Sequence, residues 1–385
     1  MTLLFFSDIP WSALHQRPQH LASRFAREWR VLWIEPATLG AKASWTPVEK
    51  ANNLYLLSLP QFPHNARSRA IRVASRVISR FLPARWLLTL VQGLLLKRAL
   101  RRVNVPVMDT TAFVQNFQFI RLVESMHPRR MVFDYIDDAF GFTDFPRYVH
   151  KEWSDAVGSA DAISTTSPVL REQIVRLGRN DVQVVNNGVD YAFFATSVES
   201  AQRPVDLPAG EQIVMYTGSV YPWFDFDLME HLLSTFQKLQ FVIIGNEHPE
   251  VRANLRHLER FPHFHLLGVR AYNQIPAYLA YAHAGIIPFR KTTLTAAVNP
   301  VKLYEYCAAG VPTVTTDFAG ELSVLGVPLF VSSSHEQFAM NLGEAVKRSA
   351  DASFTDQLRA FARSNDWDQR TRDISALLRP PGKTP

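Results

Sequence analysis

Residues 298–317, "VNPVKLYEYCAAGVPTVTTD", place an Asn-Pro pair, a lysine and a glutamate ahead of a small-residue turn and a β-branched run. Proline is favoured in the first turn of a helix, so the pattern predicts a helix that opens near Asn299 and Pro300. Lys302 and Glu305 lie three residues apart, which puts them about one turn apart on the same side of that helix. The stretch therefore predicts a cation and a carboxylate together at a helix start beside a sheet.

The rest of the chain alternates strand-like runs with helix-like stretches, the pattern of parallel α/β units. The runs of the first half are "LLFFS", "VLWIE", "LYLLSL", "AFVQ", "MVFDY", "AISTT" and "VQVVNNG". Those of the second half are "IVMYTG", "FVIIG", "FHLLG", "AGIIPF", "PTVTT" and "PLFVS". Residues 197–210, "SVESAQRPVDLPAG", follow neither period and predict a linker. A chain of 385 residues has room for two such domains, with ligands beyond the carboxyl ends of the strands in a cleft between them.

Composition indicates a folded protein, and the single cysteine fits a reducing compartment. Hydrophobic residues make up 47% of the chain and charged residues 20%, which is typical of globular domains. The single cysteine, Cys307, excludes an intrachain disulfide and is interpreted as a small buried packing residue. The first residues, "MTLLFFSDIPW", lack a basic segment and are interrupted by Ser7 and Asp8, so they predict a buried strand rather than a signal peptide. A cytoplasmic location is expected.

Positive charge is concentrated in one part of the first half. The net charge is +6 and the pI is near 9.4, yet no acidic residue occurs between Glu49 and Asp109. The basic residues in that interval are Lys50, Arg67, Arg69, Arg72, Arg76, Arg80, Arg85, Lys97, Arg98, Arg101 and Arg102. In "ARSRAIRVASRVISRFL" the arginines recur at steps of three and four, which predicts an amphipathic helix. The next apolar run, within "RWLLTLVQGLLLKRALRR", has about eleven residues, whereas a membrane-spanning helix needs about 20.

Residues 66–103 are therefore predicted to be basic amphipathic helices that lie on an anionic membrane surface, with apolar side chains in the lipid and arginines on the headgroups. The alternative is a pair of ordinary domain helices whose arginines face water. Nucleic acid is not an expected partner, because no DNA- or RNA-binding motif accompanies the charge.

Glycines follow two of the predicted strands in the second half. Gly218 and Gly245 come directly after "IVMYT" and "FVII", where a missing Cβ lets backbone or ligand approach closely. Neither half contains the Gly-rich motif of dinucleotide-binding domains or of P-loops, so sites of those two kinds are not expected.

Four segments of the second half occur together in a known family. They are "GSVYPWFDFDLM", "FVIIG", "HLLGVRAYNQIPAYLAYAHAGIIPF" and "NPVKLYEYCAAGVPTV". In this order they resemble the donor domain of GT-B glycosyltransferases, most closely family 4 and related bacterial polysaccharide enzymes. The first half adds "VFDYIDD" at 132–138 and "NNGVD" at 186–190, which is similar to the turn that closes the acceptor domain.

The resemblance implies an α/β protein of GT-B fold, with two Rossmann-like doubly wound domains facing a cleft. We expect an acceptor-binding domain at 1–196, the linker at 197–210, a nucleotide-sugar-binding domain at 211–355, and C-terminal helices at 356–385 that return toward the first domain. The implied activity is that of a nucleotide-sugar-dependent hexosyl- or glycuronosyltransferase. No cofactor is expected beyond a donor substrate of the UDP or GDP type.

The resemblance also gives roles to the residues of the opening stretch. Glu305 is implied to accept both ribose hydroxyls of the donor. Lys302 would place a positive charge near the diphosphate, where negative charge grows as the leaving group departs. The helix start at Asn299 adds backbone N–H groups. The alternative is an exposed Lys/Glu pair with no ligand.

The chain departs from the family at two places. Ala297 stands where many family 4 enzymes have a glutamate, and "VYPWFDFD" replaces the usual arginine and lysine after the first donor-domain strand. Arg290 and Lys302 are therefore the candidates for the missing positive charge. Gly218 and Gly245 complete the set of expected donor contacts.

On the acceptor side, Asp137 and Asp138 follow the strand "MVFDY". A direct displacement needs one carboxylate to take the proton of the attacking hydroxyl, and Asp137 matches in register the base of certain inverting polysaccharide transferases. A helix cap or turn role is the alternative for either residue. His15, Arg17 and His20 follow the first strand and are candidates to bind acceptor phosphate or hydroxyl groups.

No metal site is expected, because metal-ligand spacing is absent and the "DFD" at 225–227 is interpreted as a helix start. The predicted acceptor is a membrane-associated, polysaccharide or lipid-linked glycan of cell-envelope or exopolysaccharide synthesis. The expected location is peripheral, on the inner face of the cytoplasmic membrane. Two other functions remain open, a nucleotide-sugar epimerase of the same build and a catalytically silent nucleotide-sugar-binding subunit.

Overall fold

A computed structural model describes residues 1–37, 43–64, 66, 68–142, 145–209 and 212–379. Parts of three predictions lie outside these residues. They are Arg67 in the basic helices, the junction at 210–211 between the predicted linker and second domain, and 380–385 at the end of the chain.

The chain divides into two compact units, Met1–Asn186 with Arg370–Pro385, and Asn187–Gln369. Unit 1 contains the strands β1 (Thr2–Phe6), β2 (Arg30–Pro36), β3 (Val48–Ala51), β4 (Leu54–Leu59), β5 (Thr110–Val114), β6 (Arg130–Tyr135), β7 (Ala162–Thr165) and β8 (Val182–Val184). Its helices are α1 (Arg17–Phe25), α2 (Arg69–Ile78), α3 (Leu82–Arg102), α4 (Ile120–Met126), α5 (Ala139–Phe142), α6 (Arg147–Ser159) and α7 (Pro168–Val175). Short 3-10 helices cover Val107–Asp109 and Phe117–Phe119.

The sheet of unit 1 has the order β3-β4-β2-β1-β5-β6-β7-β8 and is parallel except for the β3–β4 pair. Buried aromatic side chains hold its centre together. The ring of Phe5 on β1 lies 4.9 Å from the rings of Trp33 and Phe113 on the two neighbouring strands. All four residues of strand β3, "VEKA", are exposed, and because the sequence is mostly polar it carries no strand pattern from which it could be predicted.

Unit 2 begins with α8 (Tyr191–Glu199) and continues with β9 (Ile213–Thr217), α9 (Phe226–Thr235), β10 (Gln240–Ile244), α10 (Arg252–Leu258), β11 (Phe264–Gly268), α11 (Ile275–Leu279), β12 (Ala284–Ile287), α12 (Thr293–Ala296), α13 (Val301–Ala309), β13 (Thr313–Thr316), β14 (Phe330–Ser332), α14 (His335–Arg348) and α15 (Ala352–Ser364). Its 3-10 helices are Pro249–Val251, Tyr272–Gln274 and Gly320–Val324. The chain leaves unit 2 within α16 (Trp367–Leu378).

All strand pairs of the unit 2 sheet are parallel, in the order β11-β10-β9-β12-β13-β14. The predicted runs of both halves are strands in the structure. The prediction of two doubly wound α/β domains is therefore confirmed.

The boundary between the domains differs from the prediction of 196. Helix α8 belongs to unit 2, where Phe194 is fully buried in the core and the backbone N–H of Tyr191 donates to Asp366. The predicted linker also packs on unit 2, because Leu207 is buried there and Asp206 binds Arg270 and the hydroxyl of Tyr278. The rest of this stretch is polar, so the sequence alone does not show that Asp206 and Leu207 anchor it to unit 2.

The C-terminal return begins later than the predicted residue 356. Helix α15 stays with unit 2, since Leu358 and Ala362 are buried in its core. From Arg370 the chain belongs to unit 1, where Ile374 and Leu378 join the aromatic core. Among the described residues, no helix is both long enough and apolar enough to cross a membrane.

Candidate functional site

Each sheet has a point at which its strand order reverses, and ligands of doubly wound folds bind outside the carboxyl ends of strands at that point. In unit 2 the reversal lies between β9 and β12, and in unit 1 between β1 and β5. The predicted site residues fall near both points, so each unit is described in turn.

Two glycines let the loops after β9 and β10 approach each other in unit 2. Gly218 has a φ of +123°, which side chains rarely adopt. A Cβ on Gly245 would lie 1.9 Å from the backbone oxygen of Gly218, well inside any allowed contact. Both positions therefore need glycine, and the loops leave a bare backbone surface at the carboxyl end of β9.

Helix α13 carries Lys302 in its first turn, as the sequence predicts. The helix is fixed to β9 by Tyr306, whose hydroxyl accepts a hydrogen bond of 2.8 Å from the backbone N–H of Thr217. It ends at Gly310, which has a φ of +75°. These contacts hold the start of the helix beside the two glycines. The side chain of Lys302 is so close that its Cε would lie 3.3 Å from a Cβ added to Gly218.

Lys302 is a cation without a paired carboxylate among the described residues. Its ammonium lies 5.1 Å from the ring centre of Tyr216 and 4.8 Å from that of Phe289, within range of cation–π attraction. Burial lowers the pKa of Lys302 to about 8, and the nearby Glu305 opposes that shift. The side chain is partly accessible and still charged at neutral pH, so it is suited to receive an anion.

Glu305 lies one turn further along α13. Its side chain is half-buried and makes no hydrogen bond within the described part of the chain. Burial raises the pKa of Glu305 to about 7, while Lys302 acts to lower it. A carboxylate with open acceptor positions, next to an unpaired cation, is an arrangement that can bind hydroxyl groups and phosphate together.

Two other residues of the predicted donor site, Arg290 and Asn299, interact with other protein groups. Arg290 lies 3.2 Å from Asp227 and 4.0 Å from Asp225, so two carboxylates balance its charge. The side-chain oxygen of Asn299 accepts from the backbone N–H of Asn187 and from the hydroxyl of Tyr304. Its amide nitrogen donates to Glu321. The structure thus gives Asn299 a packing role and directs the Arg290 guanidinium to Asp225 and Asp227.

Unit 1 brings acidic residues to its own point of reversal. Asp8 follows β1 by two residues, and Asp137 follows β6 by two. Both carboxylates keep solvent-accessible surface, but neighbouring atoms crowd them and remove part of their hydration, which is the burial that shifts their pKa values. Burial raises the pKa of Asp8 to about 6, with a further increase from Asp134. Burial, then the charge of Asp8, raises the pKa of Asp137 to about 7, against the lowering effect of Arg17.

Asp138 does not share these properties. One of its oxygens accepts from the backbone N–H groups of Phe140 and Gly141, at 3.2 and 3.3 Å. The other accepts from the side-chain amide of Gln173. These bonds cap α5, which favours the capping alternative for Asp138 and leaves Asp137 as the accessible one of the two predicted acids.

Two of the three predicted acceptor contacts are buried. Arg17 is 2% exposed and makes a paired interaction with both oxygens of Asp134, at 2.9 and 3.0 Å. It also donates to the backbone oxygens of Val185 and Asn186. His20 is likewise 2% exposed, and burial holds its pKa well below the usual range. Both residues therefore serve the fold, since neither reaches solvent.

His15 keeps a partly accessible position, with its ring edge-on to His20 at 4.3 Å. Sequence reasoning misses Asp8 and Asp134. Asp134 carries a usable signal, because a carboxylate inside a buried strand needs a cation or several donors. Asp8 is visible only as an interruption of the first apolar run.

No group of three or more His, Cys, Asp or Glu able to hold a metal ion occurs among the described residues. Asp225 is the N-cap of α9 and accepts from the backbone N–H of Leu228, so the interpretation of "DFD" as a helix start is confirmed. The prediction that Cys307 is a buried packing residue is also confirmed, since its side chain is fully enclosed.

Comparison with known proteins finds solved structures that share the fold of this chain. Solved structures similar over nearly all of this chain include an E. coli structure described as trehalose-6-phosphate bound with UDP-2-fluoro glucose, with a TM-score of 0.72, 14% identity and 99% of both chains covered. The sucrose-phosphate synthase of Thermosynechococcus elongatus gives a TM-score of 0.72 at 12% identity, over 98% of both chains. The fold is that of the GT-B glycosyltransferases. Anabaena HepE in complex with UDP and glucose is also similar, with a TM-score of 0.67, 12% identity and 98% of both chains covered.

Sequence comparison agrees with the GT-B fold. Residues 211–348 match the model of the family "Glycosyl transferases group 1", and this range includes Lys302 and Glu305. The putative teichuronic acid biosynthesis glycosyltransferase TuaH of Bacillus subtilis (strain 168) is 26% identical over 222 residues. That match spans 56% of this chain and 56% of TuaH. The resemblance to GT-B glycosyltransferases predicted from the motifs is confirmed.

Proposed function

We propose that this chain is a glycosyltransferase that moves a sugar from a nucleoside-diphosphate sugar to a membrane-associated or lipid-linked glycan, in cell-envelope or exopolysaccharide synthesis. The observation that carries the proposal is the unpaired Lys302 beside the open carboxylate of Glu305, at the strand reversal of a GT-B domain. The fold class and the family match support the same reaction class.

The side chains of α13 suit a nucleoside-diphosphate sugar as the donor. Glu305 accepts hydrogen bonds from the two ribose hydroxyls, and Lys302 faces the diphosphate across the bare backbone at Gly218 and Gly245. Negative charge grows on the diphosphate as its bond to the sugar breaks, so the Lys302 ammonium stabilises the transition state more than the bound donor. UDP accompanies the sugar or sugar analogue in two similar structures, which supports a donor of the UDP type.

Asp137 is the proposed base. In a direct displacement, the acceptor hydroxyl oxygen forms a bond to the anomeric carbon while the bond from that carbon to the diphosphate oxygen breaks. The hydroxyl proton passes to the Asp137 carboxylate, and the nucleoside diphosphate leaves with the electron pair. A carboxyl group whose pKa is about 7 is well matched to this transfer near neutral pH.

The proposed membrane contact rests on α2 and α3. Ser75 is the buried residue of α2, whereas Val73, Val77 and Ile78 are each at least half exposed. The apolar side chains therefore face away from the protein, which is the reverse of an ordinary domain helix. Further exposed apolar residues follow along the chain, namely Phe81, Leu82, Trp86, Leu87, Leu90 and Leu94. Basic residues on the same helices complement anionic lipid headgroups, so the enzyme is proposed to act at the inner face of the cytoplasmic membrane.

A coupled assay tests the function. Purified protein is incubated with UDP- and GDP-sugars, with and without a prenyl-diphosphate-linked glycan, and both nucleotide release and glycan mass are followed. A transferase releases nucleotide only when the glycan gains one sugar. Interconversion of the sugar nucleotide without acceptor indicates an epimerase, and binding without turnover indicates a silent subunit. Either of these two results contradicts the proposal.

A further inference from the structure

An open groove lies in unit 1 beside α1, and none of its lining residues belongs to the proposed donor site or is the proposed base. In a doubly wound sheet, the connection between parallel strands normally contains a helix that covers one face. The described part of the connection from β2 to β4 contains the strand β3 and no helix. A groove of about 390 Å³ remains between α1 and the β3–β4 turn, a volume typical of small-molecule sites. The lining residues that matter for its chemistry are Trp11, Ser23, Arg27, Lys50, Asn52 and Leu54, and we call this set the α1 groove.

The floor of the α1 groove is apolar and partly aromatic. Leu54, the first residue of β4, is 1% exposed and belongs to the core that α1 covers. Trp11 is partly accessible, and its ring meets the buried ring of Trp33 almost at a right angle, with 5.0 Å between the ring centres. The backbone N–H of Trp11 donates to Glu35 at 2.7 Å. Because these contacts fix Trp11 in place, its indole offers the groove a rigid apolar surface on which the C–H groups of a sugar ring can pack.

The two walls of the groove carry exposed polar side chains. Ser23 lies in the last turn of α1 and Arg27 follows the end of that helix. Opposite them, Lys50 lies on β3 and Asn52 lies in the turn to β4. Within the described chain, Lys50 makes no ion pair, and the side chains of Ser23 and Asn52 make no hydrogen bond. These three groups are therefore available to a ligand.

The charge of the groove favours an anionic ligand. Arg27 and Lys50 line it, whereas no Asp or Glu among the described residues does. The carboxylate of Glu28, next to Arg27 in sequence, lies 3.6 Å from Arg379 instead. Because both cations are exposed, each adds a modest and salt-dependent attraction. The groove thus suits a ligand that combines an anionic group with hydroxyl groups and an apolar ring face.

We propose that the α1 groove binds an acidic sugar residue of a glycan. The C–H face of the sugar ring packs on Trp11, and its hydroxyl groups form hydrogen bonds with Ser23 and Asn52. Its carboxylate faces the positive charges of Lys50 and Arg27. That this glycan is the acceptor of the transfer rests on the proposed function, whereas the acidic-sugar chemistry rests on the groove alone.

Calorimetric titration of the full chain with matched probes tests the inference. The probes are a tetrasaccharide that contains glucuronic acid, the same tetrasaccharide with its carboxyl groups reduced to hydroxymethyl groups, and a glutamate peptide of equal charge. The acidic tetrasaccharide is expected to bind about threefold or more tighter than the reduced one, as expected for exposed ion pairs. The peptide has charge but no sugar ring, so it should bind most weakly.

Variants of the groove separate charge from stacking. Lys50→Gln should weaken binding of the acidic tetrasaccharide by about three- to fivefold and leave the reduced one unchanged, a difference that misfolding cannot imitate. Trp11→Ala should weaken both by about fivefold or more, and Trp11→Phe, which keeps an aromatic face, should retain most of the affinity. Lys97→Gln is the matched control, because Lys97 is an exposed lysine of α3 that does not line the groove, and it should change affinity by less than about twofold.

Several results would overturn the α1 groove as a site for an acidic sugar. They are no binding of either tetrasaccharide up to about 10 mM, which is an affinity weaker than about 3 kcal/mol, equal effects of Lys50→Gln and Lys97→Gln, and unchanged affinity in Trp11→Ala. Equal affinities for the acidic tetrasaccharide and the peptide overturn the sugar and leave charge alone. Sugar transfer without binding in the groove contradicts this inference alone, whereas binding in the groove without transfer contradicts the proposed function alone.

Discussion

Among single residues, Glu305 and Lys302 contribute to the proposed donor site in different ways. A carboxylate that accepts two ribose hydroxyls stabilises the bound donor and the transition state to a similar degree. An ammonium that faces the departing diphosphate acts mostly where charge is growing. The two side chains lie on one helix turn, so substitutions at each can be compared within the same surroundings.

Glu305→Ala is expected to weaken donor binding by about 2 to 4 kcal/mol, because two charge-assisted hydrogen bonds are lost and the hydroxyls lose their acceptors. Titration calorimetry with a UDP-sugar measures the change. Glu344→Ala is the control, since Glu344 is an exposed glutamate of α14 that pairs with Arg348. Unchanged affinity in Glu305→Ala removes Glu305 from the donor site.

Lys302→Ala is expected to lower kcat more than it raises KM, because the charge that Lys302 meets develops as the sugar–phosphate bond breaks. Steady-state kinetics at saturating acceptor separates the two constants. Lys291→Ala removes a lysine of the same unit whose ammonium is paired with Asp317, and it should leave both constants nearly unchanged. An effect of Lys302→Ala on KM alone assigns the lysine to simple binding.

Donor affinity should fall on both the acidic and the basic side of an optimum near neutral pH. Glu305 has a pKa raised to about 7 and must be ionised to accept two hydroxyls, so affinity falls as pH drops below about 7. Lys302 has a pKa lowered to about 8 and must be protonated, so affinity also falls above about 8. Binding of a UDP-sugar measured from pH 5.5 to 9 should show an optimum between these values. In Glu305→Gln the fall on the acid side should disappear, and its persistence assigns that fall to another group.

At the scale of elements, the sequence predicts which segments form strands but not every contact that they make. Lys302 and Glu305 are predictable as neighbours because three residues along a helix fix their separation. The pair of Arg17 and Asp134 spans 117 positions, and only the folded sheet brings them together. From the sequence alone, Arg17 is predicted to contact the acceptor. In the structure it neutralises the buried carboxylate of Asp134 instead.

The basic helices show the same limit. Helical periodicity predicts basic helices within 66–103, where the structure has α2 and α3, yet it cannot show which side faces the protein. The structure turns Ser75 inward, where its hydroxyl lies 3.2 Å from His64, and turns the apolar residues outward. The strand loops of unit 2 are more predictable, because a glycine directly after a strand already signals close backbone approach.

Gly245→Ala tests that close approach. The added Cβ would lie 1.9 Å from the Gly218 backbone oxygen, so the loops must separate, and we expect a loss of at least about 2 kcal/mol in unfolding free energy together with weaker donor binding. Gly343→Ala is the control, since Gly343 lies inside α14 and, apart from the nearby backbone of that helix and its two chain neighbours, nothing lies within 4 Å of its added Cβ. There alanine should stabilise by about 0.5 to 1 kcal/mol. Denaturant unfolding of both variants decides between a steric requirement and a tolerant turn.

At the scale of the whole molecule, the proposed reaction divides its chemistry between the two units. The donor contacts lie in Asn187–Gln369, and the proposed base and the exposed helices lie in Met1–Asn186. Each unit has its own core and its own strand reversal, so a change on the surface of one should leave the binding site of the other intact. Membrane attachment and nucleotide binding should therefore respond to mutation separately.

Replacing Arg69, Arg72, Arg76 and Arg80 with glutamine tests that separation. Each basic residue near an anionic surface contributes about 1 kcal/mol at most, so four together support reversible, salt-sensitive attachment. Sedimentation with phosphatidylglycerol vesicles at low and high salt should show wild-type protein in the pellet at low salt only, and the variant in the supernatant throughout. UDP-sugar affinity should be equal in both proteins, because the altered arginines belong to unit 1 and the donor contacts to unit 2. Wild-type protein that stays in the supernatant at low salt removes the membrane from the proposal, and the exposed apolar side chains of α2 and α3 then need another partner.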